Sequence, residues 1–284
     1  MARPWSRLGL VAGGGDLPVH VAEAARADGR LGAVVALKGF ADPARFDSAS
    51  ERRLGEIGAI LKDFEAAGCD AICLVGQVAR PDFSQLRPDL KTISILPRIM
   101  AAATRGDDAL LRAVIAVFEE EGLIVAGADE IAGELTAKPG YLGAVRPDEA
   151  ARADALRALH VAGVIGSEDI GQGAVACAGL VLAVEAQEGT DAMLARVAAL
   201  PETLRGTPQA RRGVLAKRPK PVQERRIDLP VIGVSTVEGA ARAGLAGLVV
   251  PAGGALILGA DAVARAAGAH GLFVWITDGD DGPA

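Results

Sequence analysis

The chain has 284 residues, room for about two domains of roughly 150 residues each. Half the residues are hydrophobic, only 3% are aromatic, and the formal net charge is −6. This balance argues against intrinsic disorder. It also argues against nucleic-acid binding, which draws on basic surfaces and, for single strands, on aromatic stacking.

Taken in order, Leu8–Ala12 reads as a short apolar strand that runs into Gly13-Gly14-Gly15. Leu17–Ala27 then has helical spacing. Pro18 suits its first turn, where a missing N–H costs nothing. Ala33–Leu37 is a second strand, Ile57–Ala67 a helix ending near Gly68, and Ala71–Val75 a third strand leading into Gly76-Gln77. Asp107–Glu121 is a strong helix with Leu110, Leu111, Val114, Val117 and Phe118 on one face. Asp107 and Asp108 sit at its positive end. Leu123–Ala126 is a further strand. Alternation of this kind predicts a Rossmann-like parallel sheet covered by helices.

Near residue 147 the pattern changes. Gly140, Gly143 and Pro147 mark a linker, which divides the chain into a domain over 1–146 and a mixed α/β domain over 147–284. The second part opens with a long helix, Asp148–Ile165, followed by paired strands Gly173–Ala178 and Leu180–Ala186 and a helix over Asp191–Leu200. A charged stretch, Arg211–Arg226, leads to a strand at Val231–Val234 and a helix at Val237–Ala243. Residues 243–260 carry no charge, but Pro251-Ala252-Gly253-Gly254 interrupts them. They read as a hairpin of two buried strands rather than a membrane span. Helix Asp261–Gly268 and strand Leu272–Ile276 complete the order. Cys69, Cys73 and Cys177 form no metal or redox motif, which fits small buried residues in a reducing cytoplasm. The N-terminal apolar run is too short for a signal peptide.

Several loops carry chemistry. Gly13-Gly14-Gly15-Asp16-Leu17-Pro18 joins a strand to a helix, where N–H groups and the helix dipole can hold a phosphate. Pro18 occupies the last glycine position of the dinucleotide fingerprint, which disfavours a nicotinamide site. A tight structural turn is the plain alternative. Gln77 and Arg80 follow a strand end, where open α/β sheets bind ligands, or are solvated loop residues. Glu185, Glu188 and Asp191 surround a helix start and offer oxygen ligands of the kind Mg²⁺ prefers. Thr190 there is a plausible N-cap or phosphate contact. In the stretch 217–230, cations at Lys217, Arg218, Lys220, Arg225 and Arg226 surround Glu224 and precede Asp228, which borders an apolar strand. A carboxylate at a core edge beside cations suits metal-assisted phosphoryl hydrolysis; a solvated charged loop is the alternative.

Six stretches in order resemble the LpxI family of UDP-2,3-diacylglucosamine pyrophosphatases. They are Gly14–Pro18, Gly76–Phe83, Gly106–Arg112, Asp169–Gly173, Val184–Leu194 and Lys217–Gly233, and together they span nearly the whole chain. The resemblance implies a two-domain hydrolase of lipid A synthesis in Gram-negative bacteria. Its Rossmann-like and family-specific domains would hold the lipid nucleotide between them. Water would attack the lipid-side phosphorus, giving UMP and 2,3-diacylglucosamine 1-phosphate, with Mg²⁺. The family's key aspartate maps onto Asp228, as metal ligand or water activator, with Lys217, Gln223 and Glu224 as further catalytic candidates. Gly14, Gly15, Asp16, Leu17, Pro18, Gln77, Arg80, Gln172, Glu188, Gly189, Thr190, Asp191, Lys220 and Arg226 are the substrate-binding candidates. A cytoplasmic enzyme with peripheral contact at the inner membrane follows from the same resemblance. The alternative is a non-catalytic lipid or nucleotide binder on this fold.

Overall fold

A computed structural model describes residues 3–79, 82–83, 86–221, 224, 226–227 and 229–278. The elements in chain order are β1 (Leu8–Ala12), α1 (Leu17–Ala27), β2 (Leu31–Leu37), β3 (Ser50–Arg52), α2 (Ile57–Ala66), β4 (Ala71–Val75), α3 (Leu90–Ala103), α4 (Asp107–Glu120), β5 (Ile124–Val125) and α5 (Ala128–Ile131). They continue with β6 (Gly140–Leu142), α6 (Glu149–Ser167), β7 (Gly173–Cys177), β8 (Leu180–Val184), α7 (Gly189–Ala198), β9 (Val214–Lys217), β10 (Val231–Ile232), α8 (Val234–Arg242), β11 (Gly247–Pro251), β12 (Leu256–Ile257), α9 (Ala260–His270) and β13 (Phe273–Thr277). The chain forms two compact units. One comprises residues 1–134 and 224–228, the other 135–223 and 229–284.

The first unit is a five-stranded parallel sheet in the order β3-β2-β1-β4-β5. Its inner strands β2, β1 and β4 are near-continuous apolar runs, as expected of a parallel sheet covered by helices, whereas the edge strand β3 is Ser-Glu-Arg. Val11, Val35, Ile72 and Phe64 lie in one core with Ile115 and Phe118 of α4. The chain runs outward from β1 in both directions, so β1 and β4 flank the topological switch point, where such sheets bind ligands at their carboxyl ends.

The second unit is a mixed six-stranded sheet, β6-β13-β11-β9-β7-β8. β9, β11 and β13 run parallel; β7 is antiparallel to both β9 and β8. Alternation along β7 and β9 sorts the two faces. Val175 and Leu215 pack with α7 and α8, whereas Ala176, Val214 and Ala216 pack with α6.

The α/β class holds in both units, and several local expectations need correction. The expected hairpin over 243–260 is not one: β11 lies in the large sheet, while β12 pairs in parallel with β10 in a separate two-stranded sheet. Apolar runs flanking a Gly-Pro turn do not state which neighbour each will find. β10 stops at Ile232 because Gly233, extended, caps α8; its N–H donates to Thr236 Oγ1. Gly140–Leu142, read as linker, is an edge strand antiparallel to β13. Val214–Lys217, read as part of a charged loop, is the buried strand β9. α3, absent from the expected elements, contains Pro97, a residue that disfavours helix interiors. Cys73 and Cys177 are buried and Cys69 is half-buried; all three are free thiols.

Candidate active site

In the first unit the glycine turn after β1 is stitched to the loop after β4. Gly14 N–H donates to Gln77 O at 2.8 Å, and Gln77 N–H donates back to Gly14 O at 2.9 Å. Gly13 N–H donates to Val75 O. Gly76 makes this approach possible: its φ is +100°, and a Cβ there would stand 2.7 Å from Pro18 Cγ. Leu17 and Pro18 are buried at the start of α1 and so pack rather than face solvent. Asp16 accepts from Arg45 Nη2 at 2.8 Å, and Arg45 Nη1 donates to Gly15 O. Gly14, Gly15, Asp16 and Gln77 thus meet at the switch point, beside the amino end of α1, where Pro18 has no N–H and the Val19 and His20 N–H groups donate to Asp16 O. Arg80 lies outside the described residues.

The same unit takes up a short piece of chain from the second half. Glu224 N–H donates to Asp108 Oδ1, in the first turn of α4, at 2.9 Å. Arg226 forks onto both oxygens of Glu224, at 2.8 and 3.0 Å, and reaches Glu119 Oε1 at 2.8 Å. The Arg226 guanidinium holds the Glu224 carboxyl below the ordinary glutamate range, and Glu224 in turn raises Arg226. Ile227 packs against the core of this unit. Beside this contact, a groove of about 430 Å³ between α3 and α4 presents Arg98, Arg105 and Arg112 over an alanine floor, with Asp108 at its lining.

In the second unit the amino end of β7 and the carboxyl ends of β8 and β9 share one edge of the sheet. Lys217 is paired in register with Gly173, and Glu185 N–H donates to Gly173 O at 2.8 Å. Residues directly opposite across antiparallel strands project to the same face. Lys217 and Glu185 therefore flank Gly173, whose missing side chain leaves room: a Cβ there would stand 2.4 Å from Glu185 Oε2. Both side chains are buried, at 6% and 5% exposure. The Lys217 ammonium donates to Val231 O at 3.1 Å. Glu185 Oε1 accepts from Thr190 Oγ1 at 2.9 Å, while its Oε2 and Gln172 Oε1 are buried with no partner among the described residues. Gln172 is held by its carbonyl, which accepts from Arg218 N–H at 2.9 Å. Lys220 Nζ pairs with Asp169 Oδ1 at 2.7 Å, Asp169 having a left-handed φ of 54°.

Gln172, Thr190, Lys217 and Lys220 are thus gathered around this edge with Glu185, which sequence reading marked only as an oxygen donor. Thr190 is not the N-cap of its helix. α7 begins at Gly189, and the Thr190 hydroxyl is spent on Glu185. Glu188 turns away to accept from Ala186 N–H and Arg196. Asp191 is exposed on α7. Gln223 and Asp228 lie outside the described residues. Sequence reading missed Asp108, Arg112 and Glu119 as partners of the 224–227 segment. The signals available there were the i,i+4 pairing of Asp108 with Arg112, at 2.7 Å, and the family-like stretch Gly106–Arg112, neither of which points to a distant partner.

A divalent metal needs several oxygen donors turned inward. Among the described residues no group of three or more such side chains converges. Glu224 is engaged with Arg226, Asp108 with Arg112 and the Glu224 N–H, and Glu185 with Thr190. The described carboxylates therefore do not fit a Mg²⁺ site by themselves.

Comparison with known proteins covers the chain almost end to end. Residues 7–135 match the LpxI N-terminal domain and residues 138–275 the LpxI C-terminal domain. A curated relative, the UDP-2,3-diacylglucosamine pyrophosphatase LpxI of Caulobacter vibrioides, is 54% identical over 279 residues, 98% of this chain and 99% of its own length.

Proposed function

This chain belongs to the LpxI family, and from that premise we propose that it hydrolyses the pyrophosphate bond of UDP-2,3-diacylglucosamine in lipid A synthesis. The products are UMP and 2,3-diacylglucosamine 1-phosphate. The observation that carries the reading is the 54% identity sustained over 98% of the chain, through both domains. In the reaction a water oxygen bonds to the lipid-side phosphorus and the bridging P–O bond breaks. The bridging oxygen leaves on UMP, and the water proton passes to a base.

The two units supply different parts. The Gly14–Gln77 turn at the switch point, next to a helix amino end, suits a phosphate or nucleotide contact. Lys217 brings a buried positive charge to the edge of the second sheet, where it can offset charge on the transferring phosphoryl group. Glu185 and Gln172 bring buried acceptors to the neighbourhood of Lys217. Asp228 is the proposed ligand or water-activating residue. A Mg²⁺ requirement is part of this proposal, on the family's chemistry alone. The enzyme is proposed to act in the cytoplasm at the inner membrane surface, where a diacyl substrate resides. Among the described residues, no helix is long and apolar enough to cross a membrane.

The test is release of UMP from UDP-2,3-diacylglucosamine, with and without Mg²⁺, by the wild type and by Asp228→Ala. Metal-stimulated release by the wild type and none by a folded Asp228→Ala is expected. Saturable substrate binding with no UMP under any divalent metal would leave a binding protein in its place.

A further inference from the structure

Glu224, Arg226 and Ile227 sit immediately before Asp228 in the chain, and all three are fastened to the first unit, whose remaining residues end at 134. The fastening runs along α4. Asp108, Arg112, Ile115 and Glu119 recur at helical spacing and share one side of that helix. Asp108 takes the Glu224 N–H, Glu119 takes Arg226, and Ile115 belongs to the core that Ile227 joins. Arg226 is the hub of the segment, because one planar guanidinium spans Glu224 and Glu119 at once. Gly127 admits the Arg226 backbone, whose Cα would be 3.4 Å from a Cβ there.

We infer that Glu119 and Asp108 are positioning residues for the hydrolysis: they hold Glu224 and Arg226, which precede Asp228 in the chain, on α4. The inference rests on the function proposed above. It assigns Glu224, both of whose oxygens bond Arg226, to holding the segment rather than to acting as a base.

A partly exposed ion pair contributes little to global stability, but a displacement of about 1 Å at a catalytic group costs up to about a hundredfold in rate. The two roles therefore separate experimentally. The variants are Glu119→Gln, which keeps a neutral acceptor for Arg226, Glu119→Ala, which removes it, and Glu119→Lys, which repels it. Steady-state UMP release is measured together with amide hydrogen exchange of residues 224–227.

kcat should fall in the order Gln, Ala, Lys, by about tenfold or more for Ala and Lys. KM and melting temperature should stay close to wild type. Exchange of the 224–227 amides should quicken in the same order. Wild-type kcat in folded Glu119→Lys, a loss confined to KM, or unchanged exchange would each overturn the inference. Failure of the wild type to release UMP would instead sink the proposed function, and the exchange data would still judge the anchoring by itself.

Discussion

Replacing Gly171 with alanine tests whether the polar edge of the second sheet depends on close backbone packing. A Cβ at Gly171 would stand 2.0 Å from the Glu185 carbonyl oxygen and 2.7 Å from its carbon, where ordinary contact begins at 3.4 Å. The clash is with backbone, so no rotamer relieves it. Nor can the Glu185 backbone retreat freely, because its N–H is bonded to Gly173 O at 2.8 Å. The segment before β7 or the one after β8 must move by more than about 1 Å, and overpacking of this kind costs about 1–3 kcal/mol. Stiffening the unfolded chain returns only about 0.4–1 kcal/mol, so destabilisation wins. The expected fall in melting temperature is about 2–6 °C. Glu185 and Gln172 move with the backbone, so UMP release should fall by about tenfold or more. Thermal melting and steady-state kinetics on the same preparation read both effects. An alanine variant that melts with the wild type and turns over at its rate would refute the packing argument, since nothing then occupies the space where the Cβ must go.

The converse substitution serves as its control. Gly268 lies in α9 with open space where a Cβ would stand, so Gly268→Ala should stabilise by about 0.5–1 kcal/mol, read by denaturant melts, with kinetics unchanged. Acid should loosen the α4 anchor. The Glu224 carboxyl is held below its ordinary value of 4.5 chiefly by Arg226. A depressed carboxyl contributes stability that is present above the unfolded value and is lost as pH falls through the folded one. Amide exchange at 224–227 should therefore quicken as pH drops below about 4.5 once intrinsic rates are divided out, and Glu224→Gln should flatten that dependence. An equal pH profile in the two proteins would show that this carboxylate is not what holds the segment.

Local patterning made much of the fold legible. Leu8–Ala12, Leu17–Ala27 and Ala71–Val75 fall where period and turn residues place them, because a strand buried on both faces and a helix behind a glycine turn each leave a mark within a few residues. The 217–230 stretch was less legible. Its charges fit either a phosphoryl-transfer site or a solvated loop, yet Lys217 ends a buried strand, and the five residues 224–228 belong to the other unit. Prolines and alternating charges describe a stiff polar segment but not its neighbour.

Sequence by itself determined the α/β class, the order of most helices and strands, and the family, since each is written in local period or in motifs that stand in order. Tertiary structure alone decided that β12 leaves the large sheet for β10. It also decided that Glu185 lies opposite Gly173 and next to Thr190, and that Glu119 and Asp108, more than a hundred residues away in sequence, receive Arg226 and Glu224. These are long-range pairings. A strand edge, a buried carboxylate or an arginine fork can be satisfied by any complementary partner that the packed core brings within reach, and only the packing selects which one arrives.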